Sequence, residues 1–436
     1  MMHLLAQQTA ASPVSADAAD WIIFILVYVG VAIGTIPFTR LSRSAIALLG
    51  AIAVVALGRM GFAAATSQGV TDWSTLALLF SLMILAGSLR IAGFYTRIIR
   101  VIVAHAHRPW VLLTGVVAAA AVLSAVFAND IICLAFTPVL AGALKRAGKN
   151  PLPYLIALAT SSNIGSAATL IGNPQNMLIG QSARLLFGHY FLMVAPLIVL
   201  CLVINVLAVG LIYRRTLFVG AAAASLSPQS SALSTDEPVR PWHIIKSLLI
   251  TAGLVGMFLF SPVPREITAL VAAGLVLISR TIEPRKLFGE VNWDLILLFI
   301  GLFVVIGNVQ QHNLLGGVLA EIQKSGVPLY APLPFSTVTV VLSNLVSNVP
   351  AVLLLKPGLA IPAGIGDPVT HTWYLLAVVS TFAGNLTLLG SIANLIVAEQ
   401  AKPHGVTVGF GEYLKVGVPL TVITVALAVV YFAWVI

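Results

Sequence analysis

The chain is 436 residues long, 59% hydrophobic and only 8% charged, with a formal net charge of +9 and a mean hydropathy of +1.04. A soluble domain carries about 25% charged residues. This composition leaves too little polar surface to face water, which excludes a soluble enzyme, a nucleic-acid binder and a disordered scaffold. It describes a polytopic membrane protein embedded in the lipid bilayer. The basic excess fits lysines and arginines held in cytoplasmic loops.

Residues 1–20 lack a basic start followed by an apolar stretch, so they read as an extracytoplasmic tail. A bilayer core takes about 20 apolar residues per helix. Continuous runs of that kind lie near 21–38, 44–62, 75–95, 191–213, 243–261, 266–282, 292–309 and 410–436. Four further stretches, 109–144, 152–183, 331–360 and 371–400, carry polar clusters in their middles. Irregular backbone survives at membrane depth only inside protein or beside a cavity, so these interruptions mark where function is to be sought.

Charge sets the orientation. If 109–144 and 331–360 dip into the membrane and return on the same side, 17 of the 23 lysines and arginines fall on the inner side and 5 on the outer. Arg90, inside a span, is expected to snorkel to the inner interface. A full crossing by either stretch would swap every later loop and weaken the bias. The count predicts two re-entrant hairpins, ten crossings and both termini extracytoplasmic, in the inner or plasma membrane.

Residues 216–241, rich in Ala, Ser and Pro, read as a cytoplasmic linker. The flanking stretches, 21–215 and 242–436, resemble each other. Asp72-Trp73 matches Asn292-Trp293, Asn129 with Pro138 matches Asn348 with Pro357, and Thr169-Leu-Ile-Gly172 before Asn176 matches Thr387-Leu-Leu-Gly390 before Asn394. The offsets are 220, 219 and 218. Each half has an odd number of crossings, so the halves are inverted. The predicted fold is an all-α polytopic membrane protein of two inverted repeats. Each has a re-entrant helical hairpin (109–144, 331–360) and a discontinuous helix (152–183, 371–400), a transporter arrangement.

At the first hairpin tip, Asn129 and Asp130 are expected to stop one helix and cap the next. Asp130 is the one acidic residue that falls at mid-membrane, where its charge costs about 2.5–3.5 kcal/mol or more. It is therefore expected to bind a cation or hold a proton. Asn173-Pro174 reads as the N-cap and first turn of a new half-helix, and Ser391 takes that place in the second half. Four half-helix N-termini, each about +0.5 charge, would surround one site and favour an anion or a polarised neutral solute. The substrate-binding candidates are Asn129, Asn163, Thr169, Asn176, Ser347, Asn348, Thr387 and Asn394. The coupling-ion candidates are Asp130, Asn129, Gly172, Asn348 and Gly390. No cofactor or metal site is expected beyond H⁺ or Na⁺ as the coupling ion, with Asp130 as the place for Na⁺. Cys133 and Cys201 lie in apolar runs without a CxxC pair, and no HExxH, GxSxG or second deep aspartate points to an enzyme.

The run Leu123-Ser-Ala-Val-Phe-Ala-Asn129-Asp130, with Thr137-Pro138 behind it, resembles the hairpin of arsenite permeases. Gly172-Asn-Pro-Gln-Asn176 and Ser347-Asn-Val-Pro350 resemble segments of the wider ion transporter superfamily. That superfamily takes in arsenite permeases, D-type sodium/proton antiporters, citrate transporters and divalent anion/sodium symporters. The resemblance runs the length of the chain. It implies substrate and coupling ion held between the hairpin tips (Asn129-Asp130 and Ser347-Asn348) and unwound loops (163–176 and 384–394). It also implies an elevator-type movement, often in a homodimer. Dicarboxylate symporters carry Ser-Asn-Thr at both tips, whereas these tips read Ala-Asn-Asp and Ser-Asn-Val, and an ionised Asp130 would repel a dicarboxylate. The expected function is a secondary active transporter of a small anion or oxyacid, coupled to H⁺ or Na⁺. Arsenite or antimonite efflux and sodium/proton antiport are the alternatives, and an ion channel ranks below them.

Overall fold

Proline and polar residues cut the apolar sequence into helices at the interruptions read above. The structure is a computed structural model that describes residues 17–33, 41–217, 240–279, 282–314, 331–359 and 367–435; every regular element among them is helical. Most of the expected N-terminal tail (1–16) and most of the expected linker (218–239) lie outside the described residues.

Five of the continuous runs form helices long enough to cross a membrane: Trp73–Ile91, Phe187–Ile212, Pro241–Phe260, Trp293–Gln311 and Phe410–Val435. Three are shorter, Ala18–Ile33 (16 residues), Arg43–Ala56 (14) and Arg265–Leu277 (13). At 1.5 Å per residue these reach about 20–24 Å, short of a hydrocarbon core of about 30 Å. The cause is local for Arg43–Ala56: the Ser42 hydroxyl caps its start, and the chain turns at Gly58, φ +67°, soon after its end.

Each of the four interrupted stretches is a pair of helices. The first hairpin is Pro109–Val126 and Asn129–Arg146; the second is Pro332–Val346 and Asn348–Leu355. The first broken helix is Leu152–Ser166 followed by Pro174–Ser182, and the second is Pro368–Ala383 followed by Ile392–Ala401.

The chain packs as two units. One comprises Met1–Trp73 and Trp293–Pro334. Within it, helices Ala18–Ile33, Arg43–Ala56 and Trp293–Gln311 approach closely through glycine. A Cβ on Gly301 would lie 2.5 Å from the Ala47 backbone, and one on Gly50 would lie 2.2 Å from Val27. Asp20 ties this unit together at one end. It is 1% exposed, and its carboxylate accepts from Arg59 Nε (2.8 Å) and Nη2 (2.5 Å) and from Asn308 Nδ2 (3.0 Å). The Ser44 hydroxyl donates to Asp294 at 2.6 Å near the start of Trp293–Gln311.

The second unit, Ser74–Asn292 with Phe335–Ile436, holds both hairpin tips and both broken helices. Here Arg90 is not a free snorkelling side chain. Its guanidinium grips Glu290 at two points, Nη2 to Oε1 at 2.7 Å and Nε to Oε2. Glu290 follows the short helix Pro284–Phe288, and Gly87 makes room for it, since a Cβ there would stand 2.5 Å from Glu290 Cβ.

Asp20→Ala is expected to destabilise the first unit by about 1.5–3 kcal/mol, the usual worth of hydrogen bonds to a charged group whose partner keeps some contact with solvent. Thermal unfolding of the purified protein in detergent checks this; a midpoint unchanged from wild type removes Asp20 as the tie.

Candidate functional site

The two broken helices bring their unwound segments together in the second unit. Residues 167–173 and 384–391 carry no α-helix, so no continuous helical ladder passes through Gly172 or Gly390. Breaking a helix at membrane depth frees carbonyls that need donors. Asn176 Nδ2 donates to Thr169 O at 3.0 Å. In the second repeat, Asn394 Nδ2 donates to Thr387 O (3.2 Å) and Gly384 O (2.7 Å). The cap roles of Asn173 and Ser391 are present: Asn173 Oδ1 accepts from Asn176 N (2.9 Å) and Ser391 Oγ from Ala393 N (3.3 Å).

The segments then cross-link. Asn163 Nδ2 donates to Asn385 Oδ1 (2.8 Å) and Asn394 Oδ1 (3.0 Å), while its Oδ1 accepts from Ser391 Oγ (3.1 Å) and Asn129 Nδ2 (2.9 Å). Thr381 stands where the repeat offset of 218 puts the partner of Asn163. Its hydroxyl receives Asn173 Nδ2 at 3.1 Å and Gln175 Nε2 at 3.3 Å. Asn163 therefore meets Ser391 and Asn394, and Thr381 meets their equivalents Asn173 and Asn176. This reciprocal pattern is the repeat symmetry expressed in hydrogen bonds.

Each hairpin is fastened to the broken helix of its own repeat. Asn129 N donates to Gly172 O at 3.1 Å, and Thr169 Oγ1 donates to Ala125 O. In the second repeat Thr387 Oγ1 donates to Asn344 Oδ1 (3.2 Å) and Asn344 Nδ2 to Ala383 O (3.0 Å). Asn348 packs beside Gly384, where a Cβ would lie 3.0 Å from Asn348 Nδ2. A Cβ on Gly172 would meet Ser166 O at 2.2 Å and Ser124 O at 2.7 Å, and one on Gly390 would meet Asn344 Oδ1 at 2.8 Å. Tyr190, from helix Phe187–Ile212, donates its hydroxyl to Ala167 O at 2.7 Å and steadies the first unwound segment.

One expectation needs correction. Asn129 and Asp130 do not cap the helix that follows them. Ala128 is its N-cap and no side chain bonds there, because the Asn129 amide is drawn to Asn163. Ser347, at the second tip, likewise makes no cap bond. Of the four N-termini expected to face one site, the broken-helix pair are capped from within and the hairpin pair are open. Ser347 also sits at φ +75° and ψ 161°, a conformation that costs a non-glycine residue about 1–3 kcal/mol.

The hairpin tips keep unbonded groups of both kinds, the Ser347 hydroxyl and Asn348 Nδ2 as donors beside acceptor oxygens. Asn129 Oδ1 and Asn348 Oδ1 are buried without a hydrogen-bond partner, and both residues are under 10% exposed. Asp130 is 8% exposed and has no hydrogen-bond or ion-pair partner among the described residues. No lysine or arginine among the described residues bonds any of the site candidates. Reading the sequence alone misses Thr381 and Tyr190, and takes Asn385 only as part of the 384–394 loop. The offset of 218 points to Thr381 from Asn163, whereas nothing local marks Tyr190 out within its apolar run.

The citrate transporter family profile (CitMHS) matches residues 22–383. The chain belongs to the citrate transporter family. It is 29% identical to the silicon efflux transporter LSI3 of Oryza sativa subsp. japonica, over 91% of this chain and 93% of that one. It is 25% identical to the putative transporter arsB of Dictyostelium discoideum, over 83% of this chain and 82% of that one. Among solved structures, the Alcanivorax borkumensis YdaH transporter aligns over 96% of this chain and 98% of that chain, at 14% identity and a TM-score of 0.48. This family member is a multi-pass membrane transporter, all-helical among its described residues.

Two substitutions test the close approach and the strained tip. Gly172→Ala is expected to destabilise the protein by more than about 1–3 kcal/mol, because both obstructing atoms are backbone oxygens. Gly253→Ala, whose Cβ meets nothing within 4 Å, is the matched control, and a Gly172→Ala melting point equal to the control's disproves the obstruction. Ser347→Gly should raise the melting temperature by relieving the tip, and a fall would show the conformation carries no strain.

Proposed function

We propose that the protein is a secondary active transporter of a small oxyacid, coupled to H⁺ or Na⁺ through Asp130. The observation that carries this is the unbonded set at the hairpin tips: two amide oxygens and one carboxyl against only the Asn348 amide and the Ser347 hydroxyl as donors, with no basic side chain bonded to the site. A polycarboxylate brings more acceptors and more negative charge to such a site. A protonated oxyacid brings hydroxyl donors for Asn129 Oδ1 and Asn348 Oδ1. Its remaining oxygens suit the two open helix N-termini, each worth about +0.5 charge. The cation or proton neutralises Asp130, whose charge is costly where nothing pairs with it. Asn163, Thr169, Asn176, Thr387 and Asn394 then act by holding the broken backbone in place, with the carbonyls at Gly172 and Gly390 beside the ion.

The silicon efflux transporter among the relatives supports the same solute class, and the arsB-named relative keeps arsenite or antimonite efflux within it. Sodium/proton antiport is the second reading, favoured by the lone unpartnered carboxyl. An elevator-type alternating access in a homodimer, in the inner or plasma membrane with both termini outside, completes the proposal.

Reconstituted in proteoliposomes, the wild type is expected to move silicic or arsenous acid down an imposed H⁺ or Na⁺ gradient in preference to citrate. Asp130→Asn should abolish gradient-driven flux while leaving the circular dichroism spectrum and the elution profile unchanged. Coupled flux in that variant equal to wild type would falsify the role of Asp130. Citrate flux exceeding that of both oxyacids overturns the solute class, and cation exchange without solute flux favours the antiporter.

A further inference from the structure

A second polar cluster lies away from the broken helices, where the return arm of the first hairpin ends against the turn after the second broken helix. The return arm closes with Lys145 and Arg146, and the turn is Lys402–His404 followed by Gly405 at φ +63°. Arg146 and His404 converge over one backbone point: a Cβ on Gly142 would lie 3.5 Å from Arg146 Nη1 and 3.6 Å from His404 Nδ1. Lys145 Nζ reaches across to Gly405 O at 3.3 Å. Lys402 is already paired with Glu399 at 2.6 Å. No hydrogen-bond or ion-pair partner faces Arg146 or His404 among the described residues.

The second observation is Lys149, three residues past the arm. It is 5% exposed, and its Nζ is buried without an acceptor. Burial lowers its proton affinity below the ordinary lysine range, so an ammonium kept there needs an anion. Helix C-termini are the ordinary reason for cations at such a junction, and they fall short here. Two C-termini supply about −0.5 charge each, against three basic side chains along 145–149 not matched by a carboxylate, of which Lys145 and Arg146 are exposed and Lys149 is buried. That leaves Lys149 as the cation whose buried ammonium has no acceptor.

We propose that this junction binds a phosphate-type oxyanion, the headgroup of an anionic phospholipid at the membrane face that the lysine and arginine count assigns to the inner side. Guanidinium and ammonium groups are the usual partners of phosphate oxygens, Arg146 by two parallel bonds and the lysines as point charges. The oxyanion would bridge the ends of the two elements that carry Asn129-Asp130 and Asn394, linking membrane composition to the site without touching the transported solute. It stands independently of the solute proposed above.

Native mass spectrometry of the full chain in lipid nanodiscs tests this, with phosphatidylglycerol, phosphatidylcholine and inorganic phosphate as probes. Wild type is expected to retain phosphatidylglycerol that phosphatidylcholine does not replace, and Arg146→Gln/His404→Gln to lose it with unchanged circular dichroism. Displacement by inorganic phosphate supports the oxyanion site and assigns it to a soluble source. Equal retention by wild type and the double variant, or no retention by either, overturns the proposal. Should the variant fail to fold, phosphatidylglycerol with a photoreactive headgroup is cross-linked to wild type. Label confined to 142–149 and 402–405 supports the site, and label spread evenly over the basic loops overturns it.

Discussion

The structure depends on one constraint: two helices are broken where water cannot reach them, and every carbonyl the break exposes must find a donor inside the protein. An unsatisfied backbone group in hydrocarbon costs several kcal/mol, so the first task of the buried asparagines is structural. Asn176 and Asn394 do the same work seven residues after Thr169 and Thr387, each folding back onto the carbonyl of the threonine. Asn163 uses both amide hydrogens and both faces of its oxygen on protein partners. A side chain so fully engaged orders the site. Asn129 and Asn348 differ, because each leaves one oxygen unspent at a hairpin tip. The polar residues thus divide into those that close the backbone and those left facing whatever enters.

Much of this was legible before any coordinates. Glycine, asparagine and proline at a spacing that recurs 218–220 residues later announce the breaks, because few other residues start, stop or turn a helix inside an apolar run. The caps at Asn173 and Ser391 follow from the same local chemistry. Pairing between distant segments was not legible. Asn163 finds Asn385 and Asn394 222 and 231 positions away, Arg90 finds Glu290 200 away, and Asp20 finds Asn308 288 away. Apolar periodicity holds no information about which polar groups meet. For the same reason Arg90 reads as a free snorkelling side chain when its partner is missing from view. Cap propensity also misled at Asn129, where a tertiary hydrogen bond to Asn163 outcompetes the local bond to the helix start.

The two repeats are alike in backbone and unlike in chemistry. Thr169 bonds a main-chain carbonyl at Ala125 where Thr387 bonds the Asn344 side chain, and Thr381 replaces Asn163 with a single hydroxyl. Val349 stands at the position equivalent to Asp130, 219 residues on. Backbone geometry is what the fold needs twice, since both breaks face the same desolvation problem. Charge is needed once, and a second buried carboxyl would add a second desolvation cost.

A single carboxyl also bears on how coupling is enforced under the proposed function. With a proton or cation aboard, the tip is neutral and can change its access at little electrostatic cost. Without one, the ionised Asp130 would make the same movement with no partner among its neighbours, at a penalty of about 2.5–3.5 kcal/mol or more on insertion scales. A penalty of that size slows the uncoupled movement roughly a hundredfold, since each 1.36 kcal/mol is tenfold in rate. Replacing the charge by an isosteric amide removes the penalty from both states at once. Coupling therefore rests on the difference between charged and neutral Asp130, and the unbonded surroundings of that residue are what make the difference large.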